Sequence, residues 1–297
     1  MPKPETPTLG TFGIWIRHGQ VTEDLARSIE DLGYGCLWIG GSPAADLAAA
    51  ETALRATSQL TVATGIVNIW SADAHSVARS FHRLDHEYPR RFLLGLGAGH
   101  REVDGSAAVK PYWSLVDYLD ILDDHDVPPE RRVLAALGPR TLTLAATRAA
   151  GAHPYLVDPS FTASARAVLP KHTLLAVEHK VALGVMSTTR ELARAGLKTY
   201  LDAGMTNYLN NFRRMGFTDT DFADGGSDKL VDALVAQGDP STAAAGLRRH
   251  NAAGADHVAL QPLCRQDEVM EVLRSLAVPL GIGASDLRAT TDRQVRS

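Results

Sequence analysis

Eight short apolar runs, each followed by a longer stretch with helical spacing, constrain this chain more than any other feature. The runs cover residues 12–16, 36–39, 60–67, 92–96, 132–136, 154–157, 173–177 and 257–260. Strands that alternate with helices predict a parallel sheet with crossover helices. Eight such units in 297 residues predict an α/β chain folded as one closed (β/α)8 TIM barrel, for which about 250 residues is typical. An open, doubly wound sheet is the competing arrangement. The barrel is read as a single domain over residues 1–297, because no linker or low-complexity segment divides the chain.

Local signals place the helices. Thr22 is a candidate N-cap before Leu25, Ile29 and Leu32, and Gly33 closes that helix. Asp46 is a candidate cap for a helix over 47–57, and a third helix starts near Asp73 and stops before Pro89. Further helices are predicted over 112–124, 139–150, a short piece after Pro159, 240–253 and 266–273. Residues 188–236 are mainly helical and break near Gly225-Gly226. That length exceeds one crossover and predicts a helical insertion after the seventh strand. The polar tail after Gly281 is expected to be loose.

Composition excludes several classes. Thirty-four acids against 30 bases give a net charge of -4, which argues against nucleic acid as a partner. No apolar run approaches the roughly 18 residues of a membrane span, and residues 1–7 lack the apolar stretch of a signal peptide. Cys36 and Cys264 are far apart and lie in apolar contexts, so both are expected as buried free thiols. A cytoplasmic protein acting on a small molecule, away from membranes, is the expectation.

Barrel sites lie at the C-terminal ends of the strands. Those ends read Arg17-His18, Gly40-Gly41-Ser42, Asn68, Gly97 to His100, Leu137-Gly138, Asp158 and Glu178-His179. Metal-ligand spacing, a nucleophile elbow and a Walker loop are all missing, so no metal is expected. Glycine-rich strand ends leave room for a large flat ligand that brings its own chemistry. Trp15 and Trp70 could wall such a pocket or serve as core. His100 could donate a proton or only hydrogen-bond a loop. Glu178 could be a buried acid or pair with Arg265 or Arg17. Gly138-Pro139-Arg140 opens a helix where a phosphate could meet free backbone N–H groups, although an ordinary turn reads the same way.

Several stretches then carry a resemblance over nearly the whole chain. They are Ala63-Thr64-Gly65-Ile66-Val67, the run Tyr88 to Gly97 with its Pro89-Arg90-Arg91-Phe92, Leu137-Gly138-Pro139-Arg140 with Leu142, Gly151-Ala152-His153-Pro154-Tyr155, Asn207-Tyr208, Gly226-Ser227-Asp228 and Ala253 to Val258. Together they resemble the luciferase-like flavin monooxygenases and coenzyme F420-dependent reductases, and in particular an actinobacterial subgroup of F420-dependent oxidoreductases. The resemblance implies a cis peptide at Gly65-Ile66, backing one face of a flavin-like ring. It points to cofactor contacts at Trp15, Gly40, Gly41, Gly65, Ile66, Asn68, Gly97, His100, Gly138, Pro139 and Arg140, with His100 and Glu178 as the catalytic candidates. Hydride transfer between coenzyme F420 and an organic substrate is the leading expectation. An FMN-dependent monooxygenase, a non-catalytic flavin-binding protein and a phosphate-sugar barrel enzyme are the alternatives. A homodimer is implied as well. The family's glucose-6-phosphate branch has a histidine after strand two and an acid after strand four, where this chain has Gly40-Gly41-Ser42 and His100. Substrate identity therefore does not carry over.

Overall fold

The computed structural model describes residues 5–105 and 108–282; the polar tail beyond them lies outside the described residues. The strands are β1 (Phe12–Arg17), β2 (Cys36–Gly40), β3 (Thr61–Thr64), β4 (Val67–Asn68), β5 (Phe92–Gly97), β6 (Arg132–Leu134), β7 (Gly151–Ala152), β8 (Leu174–Leu183), β9 (Val235–Gly238) and β10 (His257–Pro262). The helices are α1 (Glu23–Asp31), α2 (Ala48–Ala56), α3 (Ala74–Glu87), α4 (Arg101–Asp104), α5 (Pro111–Asp124), α6 (Pro139–Arg148), α7 (Pro159–Val168), α8 (Met186–Asp202), α9 (Thr206–Arg214), α10 (Asp228–Leu234), α11 (Pro240–Ala252) and α12 (Val269–Leu280).

All strand pairs are parallel, in the order β1-β2-β3-β5-β6-β7-β8-β10. β10 pairs with both β8 and β1, which closes the ring. β4 continues the third barrel strand after the Gly65-Ile66 bond, which is cis, and pairs with β5. This is the (β/α)8 barrel. The caps follow the local signals: Thr22 accepts from Leu25 N–H, and Asp73 accepts from Ser76 N–H. Each satisfies a backbone donor that the first helical turn leaves free.

Four expectations need correction. Residues 154–157 are not a strand; the sixth barrel strand is β7, three residues earlier in onset and only two residues long. Its apolar successors Leu156 and Val157 are buried, so hydrophobicity there reports burial without sheet pairing. Residues 235–238 form β9 rather than helix, because β8 runs ten residues and offers Lys180 to Leu183 as a pairing edge. The last helix starts at Val269 and runs to Leu280, passing through Pro279. Cys264 is half-buried, whereas Cys36 is buried; both are free.

The barrel interior explains many of the glycines. Trp15, Trp38, Ala63, Leu93, Val133, Ala176 and Ala259 pack together inside the ring. Side chains alternate along a strand, so residues two apart point the same way. Trp15 is thus followed on neighbouring strands by positions that must be small. A Cβ at Gly40 would fall inside the Trp15 indole. One at Gly65 would stand 2.9 Å from Trp15 Nε1 and 3.0 Å from His153 Nε2. One at Gly13 would stand 2.7 Å from His257 Nε2. Large rings from some strands are accommodated by missing side chains on others.

Gly40→Ala should therefore overpack the barrel and cost about 1–3 kcal/mol. Urea unfolding reads this as a lowered midpoint with an unchanged slope. An unshifted midpoint would mean that the indole moves aside freely.

Candidate functional site

The C-terminal mouth of the barrel has two unlike halves. One is built by the ends of β3 to β6. Gly65, Ile66, Ala135, Leu137 and Gly138 are half-buried there, while Asn68 and Gly97 are buried. Asn68 Nδ2 donates to Asp104 Oδ1 at 2.8 Å, and Asp104 Oδ2 accepts from His100 N–H at 2.8 Å. These bonds fix the turn after β5. Trp70 Nε1 donates to Ala98 O at 2.6 Å and braces the same turn. His100 is half-buried and its ring lies 4.6 Å from that of Tyr208 on α9. Its Nδ1 is buried and has no hydrogen-bond partner. Burial pushes the His100 pKa below the usual imidazole value, although Glu102 and Asp104 pull against the shift. The ring is accordingly neutral at pH 7, suited to accept a proton or to hydrogen-bond rather than to act as an imidazolium acid.

The other half is a polar cluster from β8, β10 and the segment after β7. Lys180 Nζ donates to Tyr155 Oη at 2.6 Å, to Gln261 Oε1 at 2.7 Å and to Glu178 Oε1 at 3.1 Å. Glu178 Oε2 accepts from Leu156 N–H at 3.2 Å. The Lys180 and Glu178 side chains are 1% and 0% exposed. Glu178 pairs with this lysine, not with Arg265 or Arg17; Arg265 reaches Asp267 instead. Burial raises the Glu178 pKa, and the lysine charge opposes the rise. Tyr155 is half-buried, lies against Trp15 with centroids 5.6 Å apart, and shares a hydrogen bond of 2.8 Å with Tyr200 of α8.

The remaining candidates fall around these halves. Trp15 is buried, with Nε1 donating to Gly65 O at 2.9 Å. The room expected at Gly40 is taken by that indole, so this edge of the mouth is filled from within. Gly41 is exposed beside Arg17 and His18. Gly138 is different: a Cβ there would meet nothing within 4 Å, and it begins α6 without any side-chain cap. Pro139 and Arg140 are exposed. The Arg140 guanidinium lies 4.2 Å from the centroid of the Tyr112 ring. His179 faces outward, hydrogen-bonded to His250 at 2.9 Å, and takes no part in the mouth.

Sequence reading missed Lys180, Tyr155 and Gln261. The signal was present as a period of two. From Ala176 the inward positions continue to Glu178 and Lys180, and from His153 to Tyr155. The insertion also went unused: its Tyr200 and Tyr208 cover the mouth, and Thr206 N–H donates to Glu102 Oε1 at 3.0 Å across the gap.

The pieces on the β3 to β6 side fit a flavin-type group: half-buried strand ends at Gly65, Ile66 and Ala135, the unpartnered His100 Nδ1 after β5, and an uncapped helix start at Gly138. Among the described residues no cluster of His, Cys, Asp or Glu could hold a metal.

Residues 11–125 match the family model for luciferase-like monooxygenases. No curated protein is matched. Among solved structures it is similar to an F420-dependent secondary alcohol dehydrogenase in complex with an F420-acetone adduct, at 14% identity and TM-score 0.68, over 92% of this chain and 99% of that one. It is similar to the coenzyme F420 dependent tetrahydromethanopterin reductase from Methanopyrus kandleri, at 15% and 0.67, over 92% and 99%. The oxygenating constituent of 3,6-diketocamphane monooxygenase of Pseudomonas putida, in complex with FMN, aligns at 14% and 0.62, over 91% and 96%. These likenesses share the fold.

Below the mouth, buried imidazoles make the fold acid-sensitive. His153 and His257 are each pushed down to about 4 by burial, and the His179–His250 pair is lowered for the same reason. In the unfolded chain each titrates near 6.5. Between pH 6.5 and 4 the unfolded state binds protons that the folded state refuses. Stability is therefore fully present above 6.5 and is lost as pH falls, by up to about 1.4 kcal/mol per pH unit for each histidine. Urea midpoints measured from pH 7.5 to 4.5 should fall steadily, and His257→Gln should flatten the decline. A midpoint unchanged from 7 to 5 would contradict the assignment.

Proposed function

We propose that this protein is an oxidoreductase of the luciferase-like family whose barrel mouth holds the deazaflavin coenzyme F420 and passes a hydride between it and an organic substrate. The observation that carries the reading is the buried, unpartnered Nδ1 of His100 at the end of the turn after β5, on the same side of the mouth as the half-buried strand ends at Gly65, Ile66 and Ala135. A buried polar atom without a partner is costly, and a ring amide or carbonyl seated there would satisfy it. Gly65 and Ile66 would back one face of the ring, with Trp15 behind them. Asn68 and Gly97 fix the turn that carries His100. The free N–H groups at the start of α6, after Gly138 and Pro139, suit a phosphate, and Arg140 adds positive charge beside them. When bound, the coenzyme supplies the hydride donor or acceptor; the chain supplies orientation and a neutral imidazole. Glu178 is wholly buried and acts on the mouth through Lys180.

The test is a fluorescence titration with oxidised F420 and, separately, with FMN. Saturable F420 binding and no FMN binding is the expected result. The reverse would make the protein an FMN enzyme, and binding of neither would end the reading. Arg140→Ala should weaken F420 binding by about tenfold, or 1.4 kcal/mol, with an unchanged melting temperature. Equal affinity would leave Arg140 as a surface charge stacked on Tyr112.

For His100, both His100→Ala and His100→Gln should cut turnover by about 100-fold or more if the imidazole moves a proton, with coenzyme affinity nearly intact. Activity should persist below pH 6.5, because burial lowers the pKa and the neutral ring survives there; it should fall as pH drops through that lowered value. A Gln variant with the original rate would assign His100 a hydrogen-bonding role only.

A further inference from the structure

A cleft opens beside the mouth, between the ends of β1 and β10 and the helix α8, with a volume of about 600 Å³. That is the size range of small-molecule sites, roughly 300–1,000 Å³. Leu192, Leu263 and Val269 give it apolar walls, Arg17 lines it together with Glu268 and with Arg265, which is paired to Asp267, and Gln261 belongs to both the cleft and the Lys180 cluster.

Gln261 sets the chemistry. Its Oε1 accepts from Lys180 Nζ at 2.7 Å and lies 2.6 Å from Tyr155 Oη. An ammonium has donors only, so the oxygen must be the atom that faces Lys180, and the orientation of the amide is settled. The amide nitrogen is then left as a donor, and it has no partner among the described residues. A cation bonded to the amide oxygen strengthens what the amide nitrogen can donate. Arg17 makes no ion pair among the described residues. The buried Lys180–Glu178 pair thus serves to leave one fixed N–H donor on a residue that lines a partly apolar cleft.

We propose that this cleft is the organic-substrate site, and that it selects an apolar molecule ending in a carbonyl oxygen, received by Gln261 Nε2. Ketones and carboxylates share that oxygen; Arg17 adds preference for the carboxylate. The inference rests on the redox reading of the mouth, since it names the substrate class for it.

The experiment is calorimetric titration of the intact protein without coenzyme. The probes are 3-phenylpropionate, 4-phenyl-2-butanone and 3-phenylpropylamine, which share a hydrocarbon body. The acid and the ketone should bind at least about tenfold more tightly than the amine. Arg17→Gln should weaken the acid by about tenfold and leave the ketone unchanged. Gln261→Leu should abolish the ketone's advantage over the amine and reduce that of the acid to what Arg17 supplies. Because that change also strips an acceptor from Lys180, Leu192→Trp provides a second route. It fills the cleft from the exposed face of α8, away from the ion pair, and should remove binding of all three probes with an unchanged melting temperature. Equal affinity for the three probes, or binding that survives Leu192→Trp, overturns the proposal. F420 binding, followed separately by fluorescence, should be the same in Leu192→Trp. Carbonyl-selective binding in a protein that takes no F420 would keep the cleft and discard the redox reading.

Discussion

Trp15 lying across Gly40 and Gly65 is the contact on which the upper barrel depends. A parallel eight-strand ring encloses a fixed volume, and that volume must be filled to the density of a solid. Here the filling is uneven. Indoles from β1 and β2 and imidazoles from the segment after β7 and from β10 occupy space that glycines on facing strands give up. Trp38 stacks on His153 with centroids 4.0 Å apart and ring planes within 6°, and its Nε1 donates to His257 Nε2 at 3.0 Å. That bond places the remaining ring proton of His257 on Nδ1, which donates to Gly10 O at 2.8 Å. The interior is thus aromatic and hydrogen-bonded at once, and each ring has one tolerated position.

The same contact marks how far the sequence was legible. Periodicity located most of the strands and helices, because strands buried on both faces read as continuous apolar runs and helix caps are local chemistry. The seventh barrel strand was visible only in part, since its inward residues turn from alanine to Glu178 and Lys180 and the apolar run stops while pairing continues. β7 escaped because two residues of strand leave almost no pattern. Strand-end glycines were visible as positions without side chains, but not the side chains that fill them. Whether a missing Cβ serves a ligand or a neighbour's indole is decided by residues far apart in the chain, such as Trp15 and Gly40. Gly138 stayed open because no ring reaches it.

Burying the Lys180–Glu178 pair is costly for stability. Two charges leave water, and their attraction offsets that only when every hydrogen-bonding group is occupied. The three lysine donors are all used, on Tyr155, Gln261 and Glu178. A network so complete holds its members in one arrangement and orients the hydroxyl of Tyr155 and the amide of Gln261 toward the mouth. Well-packed apolar residues at these positions would satisfy folding alone; the charged pair adds direction.

The insertion between β8 and β9 has a topological consequence. It leaves the barrel after Leu183 and returns at Val235, which stands opposite Lys180 in the parallel ladder, and β9 then ends beside the point of departure, with Gly184 N–H donating to Gly238 O at 3.0 Å. Departure and return both fall on the last four residues of β8. The ring of eight strands closes through β10 without any contribution from the segment that roofs it. Roof and ring are therefore separable inheritances: the helices carrying Tyr200 and Tyr208 can lengthen, shorten or change their chemistry while strand register below remains as it was. A lineage built on this plan can alter what the mouth admits without altering how the barrel closes.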